Sequence, residues 1–154
     1  MKLKPLLIIM LSICLLGCIS TYNVKEEEYN YITKVNGFVG TLPKGKVIGS
    51  VDELIYFITE SSYNDHQNFV ILQEYDEQYF KTKSLVVQPW CTTSNGDYFI
   101  IESYKINGKE IQLNIKQTVW GVTTALGERY MILEIDSKKV ENVDTVTGKW
   151  INKK

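Results

Sequence analysis

The sequence of 154 residues is poor in the residue types on which many functional sites depend. It contains one histidine, His66, and three cysteines, which do not supply the three or four closely spaced ligands of a zinc site. Its basic and acidic residues nearly cancel, at 17 and 18, which argues against nucleic acid as a partner. The apolar run from Leu6 to Leu16 is shorter than the roughly 20 residues that a membrane-spanning helix needs.

That apolar run belongs to a targeting segment at the start of the chain. Lys2 and Lys4 precede it, and Gly17 follows it. A positive start, a short apolar core and a small residue before a cleavage point are typical of a secretory signal peptide. We therefore expect residues 1–17 to be removed during export.

The end of this segment resembles the lipobox of bacterial lipoproteins. The residues Leu15-Leu16-Gly17-Cys18 match all four positions of that pattern. The resemblance implies that Cys18 carries a diacylglyceryl group on its thiol, becomes the first residue of the mature protein and places it on the extracytoplasmic side of a bacterial cell membrane. Two acyl chains hold a protein durably on a bilayer, whereas one does not. The alternative is an ordinary signal peptide or short membrane anchor with an incidental cysteine.

The remaining chain is long enough for one domain with a substantial core. We expect residues 18–34 to form a polar, lipidated tether and residues 35–154 to form a single globular β-rich domain. Without Lys2 and Lys4, the mature protein has 15 basic and 18 acidic residues. This weak and mixed charge predicts no attraction to an anionic surface.

The cysteines predict a chain without an internal disulfide. Cys14 leaves with the signal peptide, and Cys18 is used by the lipid, so Cys91 has no partner. We expect Cys91 to be a small buried hydrophobic residue. A reactive or intermolecular thiol is the alternative.

The helical signals are few, and they predict an α+β, mostly β domain. Ser50 and Glu53 have the spacing of a capping box, and four apolar residues follow on one helical face, which predicts a helix near 51–60. These four residues are Val51, Leu54, Ile55 and Ile58. A helical turn near 76–81, capped by Asp76, is the second prediction.

Strand signals occupy the rest of the domain and predict an antiparallel sheet or small sandwich. The strongest is a β-hairpin on either side of Asn107-Gly108, where polar residues alternate with Ile111, Leu113 and Ile115. Pro89 limits the strand over 84–90 to an edge or an end. The other predicted strands lie within 31–39 and over 69–73, 129–136 and 140–146.

The residues with chemical potential form no diagnostic constellation. His66 lies in a polar loop, and a nucleophilic pair with Cys91 requires that the two meet in space. Asp76 and Glu77 are candidates for acid–base chemistry, but such pairs are common at helix starts. No calcium loop and no glycine-rich phosphate loop is present. We therefore expect no enzymatic activity, no metal and no cofactor.

One longer pattern resembles a known family. The stretch from Tyr75 to Val87 is similar to the opening of the PrcB C-terminal domain family, found in exported bacterial lipoproteins. The resemblance covers roughly residues 50–137, although Asp97 separates Gly96 from Tyr98 where the better-known form has Gly-Gly-Tyr. The further matching segments are Ser50–Ile58, Asn95–Tyr98, Ile106–Ile115, Thr123–Ala125 and Tyr130–Ile135.

The resemblance implies binding of another protein rather than catalysis, because the family's namesake is similar to an accessory lipoprotein of a surface protease complex. The expected partners are the membrane, through the lipid, and an envelope or secreted protein. Loops on a rigid sheet commonly carry recognition, which selects Asn95, Gly96, Tyr98, Trp120, Thr123 and Thr124 as binding candidates. The alternatives are a direct protease inhibitor that uses these loops, and a hydrolase or small-ligand binder that uses His66 or Cys91.

Overall fold

The computed structural model describes residues 20–25, 29–34, 44–60, 74–92, 97–119 and 127–151. Within them, eight strands form two four-stranded sheets. Sheet I has the order β1-β5-β6-β8, and sheet II has the order β2-β7-β4-β3. All neighbouring strands are antiparallel except β6 and β8. The elements are β1 Ser20–Asn23, β2 Tyr29–Lys34, β3 Lys46–Ile48, α1 Val51–Glu60, α2 Glu77–Phe80, β4 Lys83–Thr92, β5 Tyr98–Asn107, β6 Glu110–Val119, β7 Gly127–Asp136, α3 Ser137–Val140 and β8 Thr145–Trp150.

The predicted α+β, mostly β class is confirmed, with the sheets packed as a sandwich. Strand β7 illustrates this packing, because its side chains are apolar on both faces of sheet II. Met131, Leu133 and Ile135 point into the core between the sheets, whereas Tyr130 and Ile132 point to the other side of sheet II. Helices α1 and α2 cover that other side. Leu54 and Ile58 of α1 are buried there together with Tyr75, which precedes α2, and Tyr79 and Phe80 of α2 are partly buried. Among the described helices, none has the length and apolar character needed to cross a membrane.

Helix α1 has the predicted bounds, and its cap differs in one contact. The Ser50 Oγ accepts a hydrogen bond from the Glu53 backbone N–H at 3.2 Å. The Glu53 carboxylate accepts from the Gly49 N–H at 2.7 Å, one residue before the expected donor. Of the predicted apolar face, Leu54 and Ile58 are buried against the sheet, whereas Ile55 is 56% exposed. Phe57 packs there instead, edge-on against the Tyr130 ring.

Helix α2 confirms the predicted helical turn. Asp76 is its N-cap, and its carboxylate accepts a hydrogen bond from the Tyr79 backbone N–H at 2.8 Å. This bond satisfies one of the free N–H groups at a helix start. The Asp76 carboxylate therefore has a structural role.

The β5–β6 hairpin is confirmed, with its turn one residue later than predicted. Asn107 pairs with Glu110, so the turn residues are Gly108 and Lys109. Gly108 has a φ of 59°, a conformation that favours glycine. A bulge at Glu102 lies between Ile101 and Ser103 and shifts the register of β5 against β6.

Strand β4 confirms the prediction over 84–90 and explains how it tolerates Pro89. Strand β3 pairs with β4 only from Leu85 to Val87. Pro89 lies beyond the end of β3, where β7 is the only described neighbour of β4. A residue without an N–H is tolerated at such a local edge.

The predicted last strand over 140–146 was wrong in position. Val140 ends α3, which Asp136 caps by accepting from the Lys138 N–H at 3.0 Å. Strand β8 runs from Thr145 through Gly148 to Trp150. The glycine permits this path because a Cβ on Gly148 would lie 2.9 Å from the Trp90 ring.

The interpretation of residues 18–34 as a tether was wrong for the described part of this segment. Strand β1 pairs with β5, and β2 pairs with β7. The strand predicted within 31–39 corresponds to β2, which begins at Tyr29 and ends at Lys34. The strand predicted over 69–73 lies outside the described residues.

Candidate functional site

The two loops predicted to bind a partner leave the sandwich from the same end. Thr92, the last residue of β4, pairs with Gly127, the first residue of β7. Tyr98, the first residue of β5, pairs with Val119, the last residue of β6. Each loop therefore passes from one sheet to the other at this end, which we call the loop end.

Two large apolar side chains are exposed at the loop end. Tyr98 is 49% exposed, and its strand partner Val119 is 50% exposed. The Thr118 hydroxyl donates a hydrogen bond to the Tyr98 carbonyl at 3.3 Å, which ties the two strand ends together. Exposed apolar residues next to each other are a typical feature of a protein contact surface.

A buried polar layer lies directly under this exposed pair. Asp97 is buried, and its carboxylate accepts a hydrogen bond from the Gln117 side-chain amide at 2.8 Å. Arg129 is also buried, with its guanidinium carbon 5.9 Å from the centre of the Phe99 ring. Asp97, which interrupts the Gly-Gly-Tyr pattern of the family resemblance, therefore connects the start of β5 to the end of β6.

An aromatic cluster closes the core below the loop end. The Trp90 and Trp150 rings stack with their centres 5.8 Å apart, and Phe99 meets Trp150 edge-on at 5.6 Å. These three residues come from β4, β8 and β5, so the cluster joins both sheets. Aromatic contacts of this geometry add stability beyond the burial of area. The loops are therefore anchored on a rigid support.

Cys91 lies near the loop end, and the prediction that it is buried was wrong. Its side chain is exposed, and its strand partner is Glu128. Alternation along β4 places Cys91 on the same face as Leu85 and Val87. Those two residues are buried in the cluster under α1 and α2, which does not include Cys91.

The other sequence-predicted site residues fall outside the described residues. Tyr98 is the described member of the predicted binding set; it lies at the base of a loop, and its binding role stays a prediction. The residues outside are Cys18, His66, Asn95, Gly96, Trp120, Thr123 and Thr124.

A carboxylate held by two tyrosines is a feature that sequence reasoning missed. The Tyr75 and Tyr79 hydroxyls donate to the two oxygens of Glu134, each at 3.1 Å. Burial raises the pKa of the Tyr79 hydroxyl above its usual value, and the negative charge of Glu134 raises it further. Tyr79 therefore remains a protonated donor at neutral pH and holds α2 against β7. A tyrosine that acts as a general base would instead need a pKa below its usual value.

The described residues offer little to a metal ion or a small ligand. They contain no group of three or more His, Cys, Asp or Glu side chains that could hold a metal. A shallow depression of about 240 Å³ on sheet I is lined by Lys105, Asn107, Glu110 and Gln112. It is smaller and more polar than a typical ligand pocket, which encloses about 300–1,000 Å³ of mostly apolar space.

No family model, curated protein or solved structure matches this chain. The lipobox and the likeness to the PrcB C-terminal domain therefore remain predictions from the sequence. The geometry of the loop end is independent of both, since it follows from the pairing of four strands.

Proposed function

We propose that this protein is a lipid-anchored, extracytoplasmic module of a bacterial cell membrane that binds another envelope or secreted protein. An accessory role to a surface or secreted protease is the form of this function that the family resemblance favours. The observation that carries the proposal is the loop end, where two loops start beside the exposed Tyr98 and Val119. The lipobox at Cys18 supports the location.

The loop end has the physical properties of a recognition surface. Tyrosine supplies a large contact area and a hydroxyl that can form hydrogen bonds, and it is common among residues that dominate binding energy. Tyr98 stands on a strand fixed from below by Asp97 and Phe99, so little conformational freedom is lost on binding. The flanking loops would set which partner is accepted.

Two exposed tyrosines allow a matched test of the loop end. Chemical crosslinking in the producing cells, followed by affinity capture and mass spectrometry, identifies partners of the wild-type protein. Tyr98→Ala should weaken capture of the true partner by about tenfold or more, the loss of an interface residue worth at least 1.4 kcal/mol. Tyr56→Ala on α1 is the control, because Tyr56 is similarly exposed, at 56%, but its ring faces Lys46 of β3, with the ammonium 5.4 Å from the ring centre. Equal capture by both variants would contradict the proposal.

The anchor is tested separately. Wild-type protein should incorporate labelled fatty acid and sediment with membranes. Cys18→Ser should remove both properties, because the thiol that forms the thioether is gone. A Cys18→Ser protein that is still processed and retained in the membrane like the wild type would remove the anchor from the proposal.

A direct protease inhibitor is the second candidate, and the same pairing of loops favours it, because adjacent loops can enter an active-site cleft. Titration of secreted proteases separates the two. Inhibition at stoichiometric concentration would support the inhibitor, whereas a complex that retains protease activity would support the accessory module.

A hydrolase or small-ligand binder is the remaining alternative, and the exposed thiol of Cys91 is the observation that keeps it testable. Ester or peptide turnover by the wild-type protein that disappears in Cys91→Ser would establish catalysis and overturn the binding proposal. Absence of turnover in both proteins is the result that we expect.

A further inference from the structure

Strand β1 begins very close to the proposed lipid anchor. Ser20 is its first residue, and it follows Cys18 by two positions. Consecutive Cα atoms are about 3.8 Å apart, so covalent geometry limits the distance between the Cα atoms of Cys18 and Ser20 to about 7 Å. The position of Ser20 in the fold therefore decides where the lipid is attached.

Ser20 lies at the end of the sandwich opposite to the loop end. It pairs with Ile106, one residue before the Asn107–Glu110 pair that closes the β5–β6 turn. We call this the hairpin end. Strand β5 has ten residues and runs from the loop end to the hairpin end, which separates the two ends by about 30 Å at 3.4 Å per residue.

Side-chain contacts hold β1 firmly against the body of the domain. The Tyr22 ring stacks on its strand partner Tyr104, with the ring centres 4.9 Å apart. The Lys139 ammonium lies 5.2 Å from the centre of the Tyr22 ring, a distance typical of a cation–π contact. Beyond the strand, the Val24 N–H donates to the Glu102 carbonyl at 3.2 Å. An anchor at Cys18 would thus pull on a fixed point of the fold.

The surface of the hairpin end suits the hydrated headgroups of a bilayer. Lys109 in the turn is paired with Asp144 at 3.5 Å, and their side chains are 78% and 60% exposed. Lys138 and Glu141 on either side of Val140 are also exposed. Charges of both signs remain hydrated at this surface, whereas the exposed apolar pair Tyr98 and Val119 lies at the far end.

We propose that the hairpin end rests on the bilayer surface and that the loop end is held about 30 Å away from it, directed towards the partner. This inference rests on lipidation of Cys18, which belongs to the proposed function. It adds to that function the orientation of the domain relative to the membrane. The short link between anchor and β1 restricts the domain to one side and leaves the binding loops accessible.

Short-range quenching of single labels tests the orientation. The lipidated protein is purified from bacterial membranes and reconstituted on phosphatidylcholine vesicles that contain a lipid with a nitroxide on its headgroup. One sample carries a fluorophore on the exposed Cys91, near the loop end. The second sample carries the fluorophore at the hairpin end, on Lys109→Cys in a protein that also has Cys91→Ser. Asp144→Cys, again combined with Cys91→Ser, provides another label at the same end.

We expect the hairpin-end labels to be quenched at least about threefold more than the Cys91 label, because the two ends are about 30 Å apart. Equal quenching of both ends, or stronger quenching of the Cys91 label, would overturn the orientation while the anchor stands. Sedimentation of the same samples provides the separate readout. Protein that does not stay with the vesicles would overturn the anchor and the orientation together.

Discussion

The hydroxyl of Tyr79 is the most informative group to remove, because its hydrogen bond stabilises the fold and its raised pKa makes that stability depend on pH. It donates to Glu134 at 3.1 Å, next to the equivalent bond from Tyr75. Hydrogen bonds to charged groups contribute about 1.5–3 kcal/mol, and partial exposure of this pair reduces that range to about 1–2 kcal/mol. Tyr79→Phe should therefore lower the free energy of unfolding by about that amount at pH 7.

The same contact predicts how the effect changes with pH. Burial and the charge of Glu134 raise the pKa of Tyr79 in the folded state above the value of about 10 in the unfolded state. Below pH 10 the hydroxyl is protonated in both states, and its contribution is complete. Above pH 10 the unfolded state releases the proton first, so stability falls by up to about 0.8 kcal/mol at pH 10.5 and up to about 1.4 kcal/mol at pH 11, and solvent screening at the partly exposed Tyr79 makes the loss smaller.

Tyr79→Phe lacks this loss, so the stability difference between wild type and variant should shrink by those amounts as the pH rises. Urea unfolding, followed by tryptophan fluorescence at pH 7, 10.5 and 11, measures the difference, since all other titrating groups are shared. Tyr56→Phe controls for the removal of a phenolic hydroxyl group from an exposed site. A difference that stays constant or grows above pH 10 would refute the reasoning.

Three further predictions concern packing, backbone and exposure. Gly148→Ala should cost about 1–3 kcal/mol in thermal unfolding because its Cβ would press on the Trp90 ring. Gly49→Ala should be much milder, because its Cβ would lie 3.8 Å from the Glu53 carboxylate, an ordinary contact distance, and equal effects of the two changes would contradict this. Gly108→Ala should cost about 1 kcal/mol because of its positive φ, and an unchanged melting temperature would show that the turn adapts. The Cys91 thiol should react with an aqueous thiol reagent without denaturant, and a requirement for denaturant would contradict its exposure.

Local signals in the sequence were sufficient for several elements. Helix α1 follows from Ser50 and Glu53, whose cap depends on residues within one turn. The β5–β6 hairpin follows from polar and apolar residues that alternate on either side of a glycine turn. The paired residues of such a hairpin are close together in the sequence. In both cases the stabilising partners are neighbours along the chain, so the pattern is visible without the fold.

Elements that depend on distant partners were not predictable in the same way. Strand β1 is polar and short, and it is held by Tyr104 on a strand far along the chain. Glu134 is charged and is therefore expected to face solvent on its strand, yet the hydroxyls of two tyrosines from the α2 region donate hydrogen bonds to it. The exposure of Cys91 depends on where the helical layer ends over β4. Sequence periodicity does not report any of these long-range contacts.

The family resemblance has a physical reading that limits what it can say about function. Tyr75 is buried, Asp76 caps α2, Tyr79 bonds to Glu134, and Leu85 and Val87 pack under the helices. Each of these residues in the matching stretch serves packing or capping, so a likeness in this stretch carries information about the fold. The choice of partner must be made by residues that packing leaves exposed. Among the described residues, Ile55 and Tyr56 on α1 are exposed as well, but Tyr98 and Val119 are the exposed apolar pair from which two loops start. The binding proposal therefore rests on the loop end rather than on the pattern itself.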